Sequence, residues 1–242
     1  MYKHVRGVAL RTVRYSDKAS ILTAWTAEMG RVSLLMPASA SRESRRRRAL
    51  SMPLSLFEGE VEVRPGRDIM PVRDMRAAVV APDLLANPVK ATIALFLSEL
   101  LELMLREDGY GDEAFWELLA EAVPVLDAAS PAATANFHIH FLYRLAAVMG
   151  IEPDMSTYRP GRVFDLAAGL FRDTPPVSGD YVDASEAGVI FALSRMHPRS
   201  LALLRLASDE RSRALDTILS YFAMHNMRVS PLHSLEVLRA MA

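Results

Sequence analysis

Five arginines, Arg42, Arg45, Arg46, Arg47 and Arg48, sit in the run Ala38-Ser39-Ala40-Ser41-Arg42-Glu43-Ser44-Arg45-Arg46-Arg47-Arg48. A guanidinium presents a planar fork of donors that matches a phosphate. Clustered guanidiniums release the counterions condensed on a polyanion, so they favour nucleic acid whatever its base sequence. The run has no apolar period, which predicts an exposed, mobile loop with at most a turn of helix at its end. Arg14, Lys18 and Arg31, on neighbouring turns, are expected to extend the cationic track. Tyr15, in a turn, is expected to offer a ring on which an unpaired base can stack. Trp25 and Phe57 are the other rings of this half and are read as core. The same cations would also suit a patch that docks an acidic protein.

The remaining polar clusters carry less chemistry. His138 and His140 are two residues apart, so on a helix their rings point about 200° apart and cannot share a metal ion. Glu99 and Glu102 are read as a solvated helix face rather than an acid–base pair, because no cation is seen to converge on them. The chain has no cysteine, which excludes disulfides, thiolate metal sites and cysteine nucleophiles. It also lacks a Gly-rich phosphate loop, a Gly-x-Ser-x-Gly elbow and a His-Glu-x-x-His pair. No catalytic residue, metal ligand or cofactor is therefore assigned.

The positioning elements follow from pattern and charge. The chain has 242 residues, 51% apolar and 24% charged, enough for one large or two small globular domains. Residues 1–80 hold 15 Lys and Arg against 8 Asp and Glu, a net of +7, whereas the rest of the chain carries a net of −8. The opening Met1-Tyr2-Lys3-His4-Val5-Arg6 is not a signal peptide, and no run approaches the ~18 apolar residues of a membrane span. These features predict a soluble intracellular protein. Short β-branched and aromatic runs around Val5–Val13, Ile21–Thr26, Val32–Met36, Leu54–Val63 and Ile69–Val72 predict five strands, with a turn at Pro65-Gly66. Five strands in such a span predict an OB-fold barrel, with an SH3-like barrel as the competitor. Beyond residue 80 the apolar period turns helical. Val89, Ile93, Phe96, Leu97, Leu100, Leu101 and Met104 line one face of a helix from Asn87-Pro88 to Asp108-Gly109. Further helices are predicted over 112–127, 131–149, 185–196, 208–226 and 234–241, with 151–183 irregular. The fold class is thus α+β: a barrel domain over 1–80, then a helical domain over 81–242.

The residues of the first half resemble a known family. Arg6-Gly7-Val8-Ala9-Leu10-Arg11, Tyr15-Ser16-Asp17-Lys18-Ala19-Ser20-Ile21-Leu22 and Thr23-Ala24-Trp25-Thr26-Ala27-Glu28-Met29-Gly30-Arg31 look like the start of bacterial RecO, a recombination mediator family. Leu50-x-x-Pro53-Leu54 fits as well. Tyr221-Phe222-Ala223-Met224-His225 and Ser234-Leu235-Glu236-Val237-Leu238 resemble its closing signature. Asp17 stands where that family usually has Glu. Many members hold a structural zinc on paired cysteines in the irregular segment. Here Gly150-Ile151-Glu152-Pro153-Asp154 resembles the lead-in, but Ser156 and Tyr158-Arg159 stand where the first cysteine pair is expected. Phe164, Leu166, Leu170 and Phe171 are expected to hold the segment without metal.

The resemblance implies a non-catalytic, bacterial, cytoplasmic and nucleoid-associated protein. It implies binding to single- and double-stranded DNA, annealing of complementary strands, and help in loading recombinase. A RecR-like protein and the acidic C-terminal tail of single-strand-binding protein are the implied partners. That tail ends in an aromatic residue, so its site needs an apolar groove with a cation at the rim; Arg144 is the first candidate, then Arg199 and Arg205.

Overall fold

A computed structural model describes residues 1–37, 41–64, 66–105 and 109–241. Strands β1 (Tyr2–Ser16), β2 (Ala19–Thr26), β3 (Gly30–Pro37), β4 (Leu56–Glu62) and β5 (Ile69–Ala77) close into a barrel in the order β1-β2-β3-β5-β4. β3 and β5 run parallel and the other neighbours antiparallel. This is the five-stranded barrel expected of an OB fold. Alternate residues fill its interior: Val5, Leu22, Ala24, Val32, Leu34, Phe57, Val61 and Val72 are all buried. Trp25 is also buried, its ring edge-on to Phe115 at 4.5 Å. β1 is far longer than its apolar pattern implies. It runs beyond the barrel, paired with β2 up to Ser16 and Ala19, and every residue from Arg11 to Lys18 is exposed.

The arginine run is not a loop. It forms helix α1 (Arg42–Leu50) between β3 and β4. Ser41 caps the helix by accepting the Ser44 amide at 3.1 Å, arginine is a good helix former, and Arg47 and Arg48 in the last turn oppose the negative end of the helix dipole. Among its described side chains only Ser44 and Leu50 are buried, with Leu50 in the barrel core, so the sequence shows no period. Ala38, Ser39 and Ala40, expected in the same loop, lie outside the described residues, as do Pro65 of the expected turn, Asp108 and the side chains of Arg42 and Glu43.

Two compact units form, Met1–Ala128 with Leu232–Met241, and Ala129–Pro231. Helices α2 (Pro82–Ala86), α3 (Pro88–Met104) and α4 (Glu113–Asp127) therefore belong with the barrel. The expected division at residue 80 follows the switch from strands to helices, not the division between units. α3 closes at Met104, four residues before the predicted Asp108. Buried Lys90 ties these helices together, pairing with Asp83 and donating to the Asp127 carbonyl at 2.6 Å. Gly30 lies at φ +70°, and a Cβ there would sit 2.2 Å from the Gly109 carbonyl oxygen, so only glycine lets the two turns meet.

The second unit holds α5 (Pro131–Val148), a three-stranded sheet of β6 (Val163–Asp165), β7 (Leu170–Arg172) and β8 (Tyr181–Val182), then α6 (Ala184–Arg195) and α7 (Ser208–Met224). The expected irregular segment thus contains a small sheet in the order β7-β6-β8. Helix α8 (Ser234–Met241) returns to the first unit and packs on α3. Among the described residues no helix is long and apolar enough to cross a membrane.

Candidate nucleic-acid interface

A helix cannot aim four consecutive arginines at one target. At 100° per residue, Ser44, Arg47, Arg48 and Ser51 share an arc of about 100°, with Arg45 and Arg46 on the opposite side. Arg45, Arg46 and Arg48 are exposed and Arg47 is half-buried. The first arc faces a cleft of about 350 Å³, open to solvent, between α1 and the inner face of β1 and β2. Thr12 and Ser20 form its far wall, and no described acidic residue lines it. Arg14 is the register partner of Ser20, so it stands on the same face of the hairpin.

Most other cations of the barrel are neutralised. Arg6 donates to Glu28 at 2.8 Å and to Glu113 at 2.7 Å, with its guanidinium 5.5 Å above the Trp116 ring. The bonds to Glu113 and then Glu28 raise its pKa further, and Arg6 in turn holds the Glu113 carboxyl below the usual carboxylate range. Along β4 the outward glutamates Glu58, Glu60 and Glu62 pair with Arg76, His4 and Arg64. Arg73 lies 3.5 Å above the Tyr2 ring. In contrast, Arg45, Arg46 and Arg48 make no side-chain ion pair or hydrogen bond among the described residues, and neither does Lys18 at the hairpin tip. Apart from Arg67 in the turn between β4 and β5, the exposed barrel guanidiniums without a side-chain partner among the described residues are therefore those of α1, which borders the cleft beside the β1–β2 hairpin.

The sequence-predicted residues divide accordingly. Arg14, Tyr15 and Lys18 stand on the exposed hairpin, although Arg14 is paired with Asp17. Tyr15 is 64% exposed, a ring available for stacking. Arg31 does not join them. It lies at the opposite end of β3 from α1 and donates to the carbonyls of Glu102 at 3.1 Å and Leu105 at 3.3 Å, anchoring the end of α3 to the barrel. Glu102 also pairs with Arg11 and Arg31, and Glu99 accepts the amides of His233 at 2.9 Å and Ser234 at 2.8 Å. The predicted solvated face is thus two structural acceptors. Glu99 supplies the cap that α8 lacks in its own sequence; burial pushes its carboxyl up, but the bonds from Ser234 and His233 outweigh this and hold it below the usual range.

In the second unit His138 and His140 lie on α5 as expected, both buried. Burial, with the nearby Arg211 charge, pushes the His138 imidazole down to about 4. His140 bonds the Met196 carbonyl at 2.7 Å. Arg144 is half-buried on α5, whereas Arg199 and Arg205 are exposed on and just after the 3₁₀ segment Pro198–Leu203. Asn136 donates to the Leu204 carbonyl at 2.8 Å, so Arg205 lies near the Asn136 turn of α5, about 12 Å along the helix from Arg144. The three do not form one rim.

The residues at the family's zinc position do not fit a metal. The Ser156 hydroxyl donates to Asp154 at 2.6 Å, and the Arg159 guanidinium donates to the Tyr158 carbonyl at 2.6 Å. Tyr158 stacks on Phe191 at 3.9 Å and meets Phe171 edge-on at 5.1 Å. Phe171 continues to Phe164 at 4.9 Å and Phe164 to Tyr221 at 5.7 Å. This aromatic ladder contains the expected Phe164 and Phe171 and adds Tyr158, Phe191 and Tyr221 to them, while Leu166 is buried and Leu170 half-buried. Among the described residues no three metal-ligating side chains converge.

Comparison with known proteins bears on the whole chain. The family model for the N-terminal part of recombination protein O matches residues 1–78, and that for its C-terminal part matches residues 85–235. The DNA repair protein RecO of Phocaeicola vulgatus is 31% identical over 239 residues, covering 99% of this chain and 98% of the relative. That of Porphyromonas gingivalis W83 is 30% identical over 225 residues, 91% of each chain. That of Flavobacterium psychrophilum is 25% identical over 236 residues.

Proposed function

The chain belongs to the RecO family of recombination and DNA repair proteins, and from that membership we propose that it is a non-catalytic mediator of recombinational repair. In this reading it binds single- and double-stranded DNA, anneals complementary strands, and helps load recombinase on strands covered by single-strand-binding protein. A RecR-like protein and the tail of single-strand-binding protein are its proposed partners. Arg144 is the proposed contact for that tail, with Arg199 and Arg205 as secondary candidates.

The observation that carries the reading is the distribution of unneutralised charge. Carboxylates occupy most barrel guanidiniums, while Arg45, Arg46 and Arg48 stay unpaired among the described residues beside an exposed hairpin with Lys18 and Tyr15. Cations positioned to meet a phosphate backbone must be free of competing acceptors, and an aromatic ring beside them gives an unpaired base a surface to stack on. The test is fluorescence anisotropy with a labelled single strand over a salt series, joined to an annealing assay with its complement. Binding that weakens steeply with salt, and accelerated annealing, are expected. Absence of both at low salt, with retained affinity for an acidic protein, would replace this reading with a protein-docking adaptor.

A further inference from the structure

The cleft beside α1 has a donor inventory that selects its ligand. The Thr12 hydroxyl donates to the Ser51 carbonyl at 2.9 Å, the Ser51 hydroxyl to the Arg48 carbonyl at 2.9 Å, and the Ser44 hydroxyl to the Pro37 carbonyl at 3.0 Å. A hydroxyl has one proton, so these three offer only lone pairs to a guest. Arg47 is already engaged within the protein. Two donors remain. Arg48 and the half-buried Ser20 also line the cleft, and neither side chain has a partner among the described residues. They approach it from different elements, Arg48 from α1 and Ser20 from β2.

We propose that this cleft seats one backbone phosphate of the bound strand, held by Arg48 and Ser20. The inference rests on the DNA-binding reading above and assigns it a specific contact. A phosphodiester is acceptor-only at neutral pH, so it needs donors and cannot use the lone pairs of Thr12, Ser44 or Ser51. The planar Arg48 fork matches the two non-bridging phosphate oxygens, and Ser20 donates to a remaining lone pair of one of them from the opposite wall. No described carboxylate lines the cleft to compete. Because the cleft is open, the flanking sugar units can enter and leave it, with Arg14 standing beside Ser20 on one side. Arg45 and Arg46, on the far side of α1, meet other phosphates without a built seat.

The test compares single-strand affinity and salt slope for the whole protein and four variants: Ser20→Ala, Arg48→Gln, Arg48→Lys and, as an equal-charge control, Arg67→Gln. Arg67 is exposed in the turn between β4 and β5 and outside the cleft. Ser20→Ala removes no charge; it is expected to weaken binding about three- to tenfold, as loss of a typical hydrogen bond does, with the slope kept. Arg48→Gln is expected to weaken binding and flatten the slope by about 0.7. Arg48→Lys keeps the slope but not the affinity, because a point charge does not replace the fork. Arg67→Gln is expected to change neither. Inorganic phosphate should weaken wild-type binding more than chloride at equal ionic strength, and the difference should vanish in Ser20→Ala/Arg48→Gln. Wild-type binding with Ser20→Ala unaffected, or Arg48→Gln no worse than Arg67→Gln, overturns the seat alone. Wild type that binds no DNA overturns the functional reading and the seat together.

Discussion

Replacing Arg45, Arg46 and Arg48 together by glutamine removes the guanidiniums of α1 that are unpaired among the described residues and little else. Glutamine is the right substitute because these positions are helical: its helix propensity is close to that of arginine, whereas serine would cost a few tenths of a kcal/mol at each site. Arg47 stays, since it is half-buried and engaged. A flexible comb of four arginines would neutralise about four phosphates, for a log–log salt slope near −3 on single strands. Three of these four are free among the described residues of the helix, and they supply about −2. Raising salt from about 50 to 200 mM should then weaken the wild type about 18-fold through these residues alone. The triple variant should lose that component, so its slope is flatter by about 2 and its affinity at low salt is reduced most. Its melting temperature should stay within a degree or two, because none of the three side chains has a partner among the described residues. Anisotropy over six salt concentrations and a thermal melt read both quantities. An unchanged slope in a folded triple variant would remove α1 from the DNA interface.

Other outcomes follow from the structural contacts. The Glu99 carboxyl is held below its ordinary value in the folded protein, so it stabilises the docking of α8 at neutral pH. That contribution declines as pH falls from the unperturbed value near 4.5 through the lower folded one; hydrogen exchange on residues 234–241 should accelerate in acid, and Glu99→Gln should remove the pH step. Tyr158→Ala breaks the aromatic ladder and should cost about 2–3 kcal/mol by chemical denaturation, whereas a chelator should leave the wild-type melting temperature unchanged. Arg144→Glu should weaken binding of an acidic peptide with an aromatic C-terminus in a fluorescence titration, and unchanged affinity would move that contact elsewhere.

The barrel was legible because Ile21–Thr26 is β-branched and aromatic and Val32–Met36 carries its inward residues at period two, and α3 because its apolar face repeats over four turns. α1 was hidden, since a helix with only Ser44 and Leu50 turned inward among its described side chains has no period to detect; the Ser41 cap was the available signal. The small sheet escaped because strands of two or three residues are too short to alternate. Site residues failed or held for a related reason. Tyr15, at the end of β1 rather than in the expected turn, and Lys18, in the turn, are exposed as the nearby sequence implies. Arg31 and Glu99 are committed to partners 71 and 135 residues away, which no local pattern announces. Arg48 and Ser20 come to line one cleft only once α1 is folded beside the hairpin.

The most direct measurement is the map of contact itself. A single strand carrying photoreactive thymine analogues, cross-linked to the intact protein and digested for mass spectrometry, reports which residues touch DNA. The account predicts cross-linked peptides from 11–20 of the β1–β2 hairpin and 42–51 of α1, with Tyr15 prominent and the Arg31 turn silent. Cross-links confined to residues 129–231, or spread over the paired outer face of β4, would contradict it.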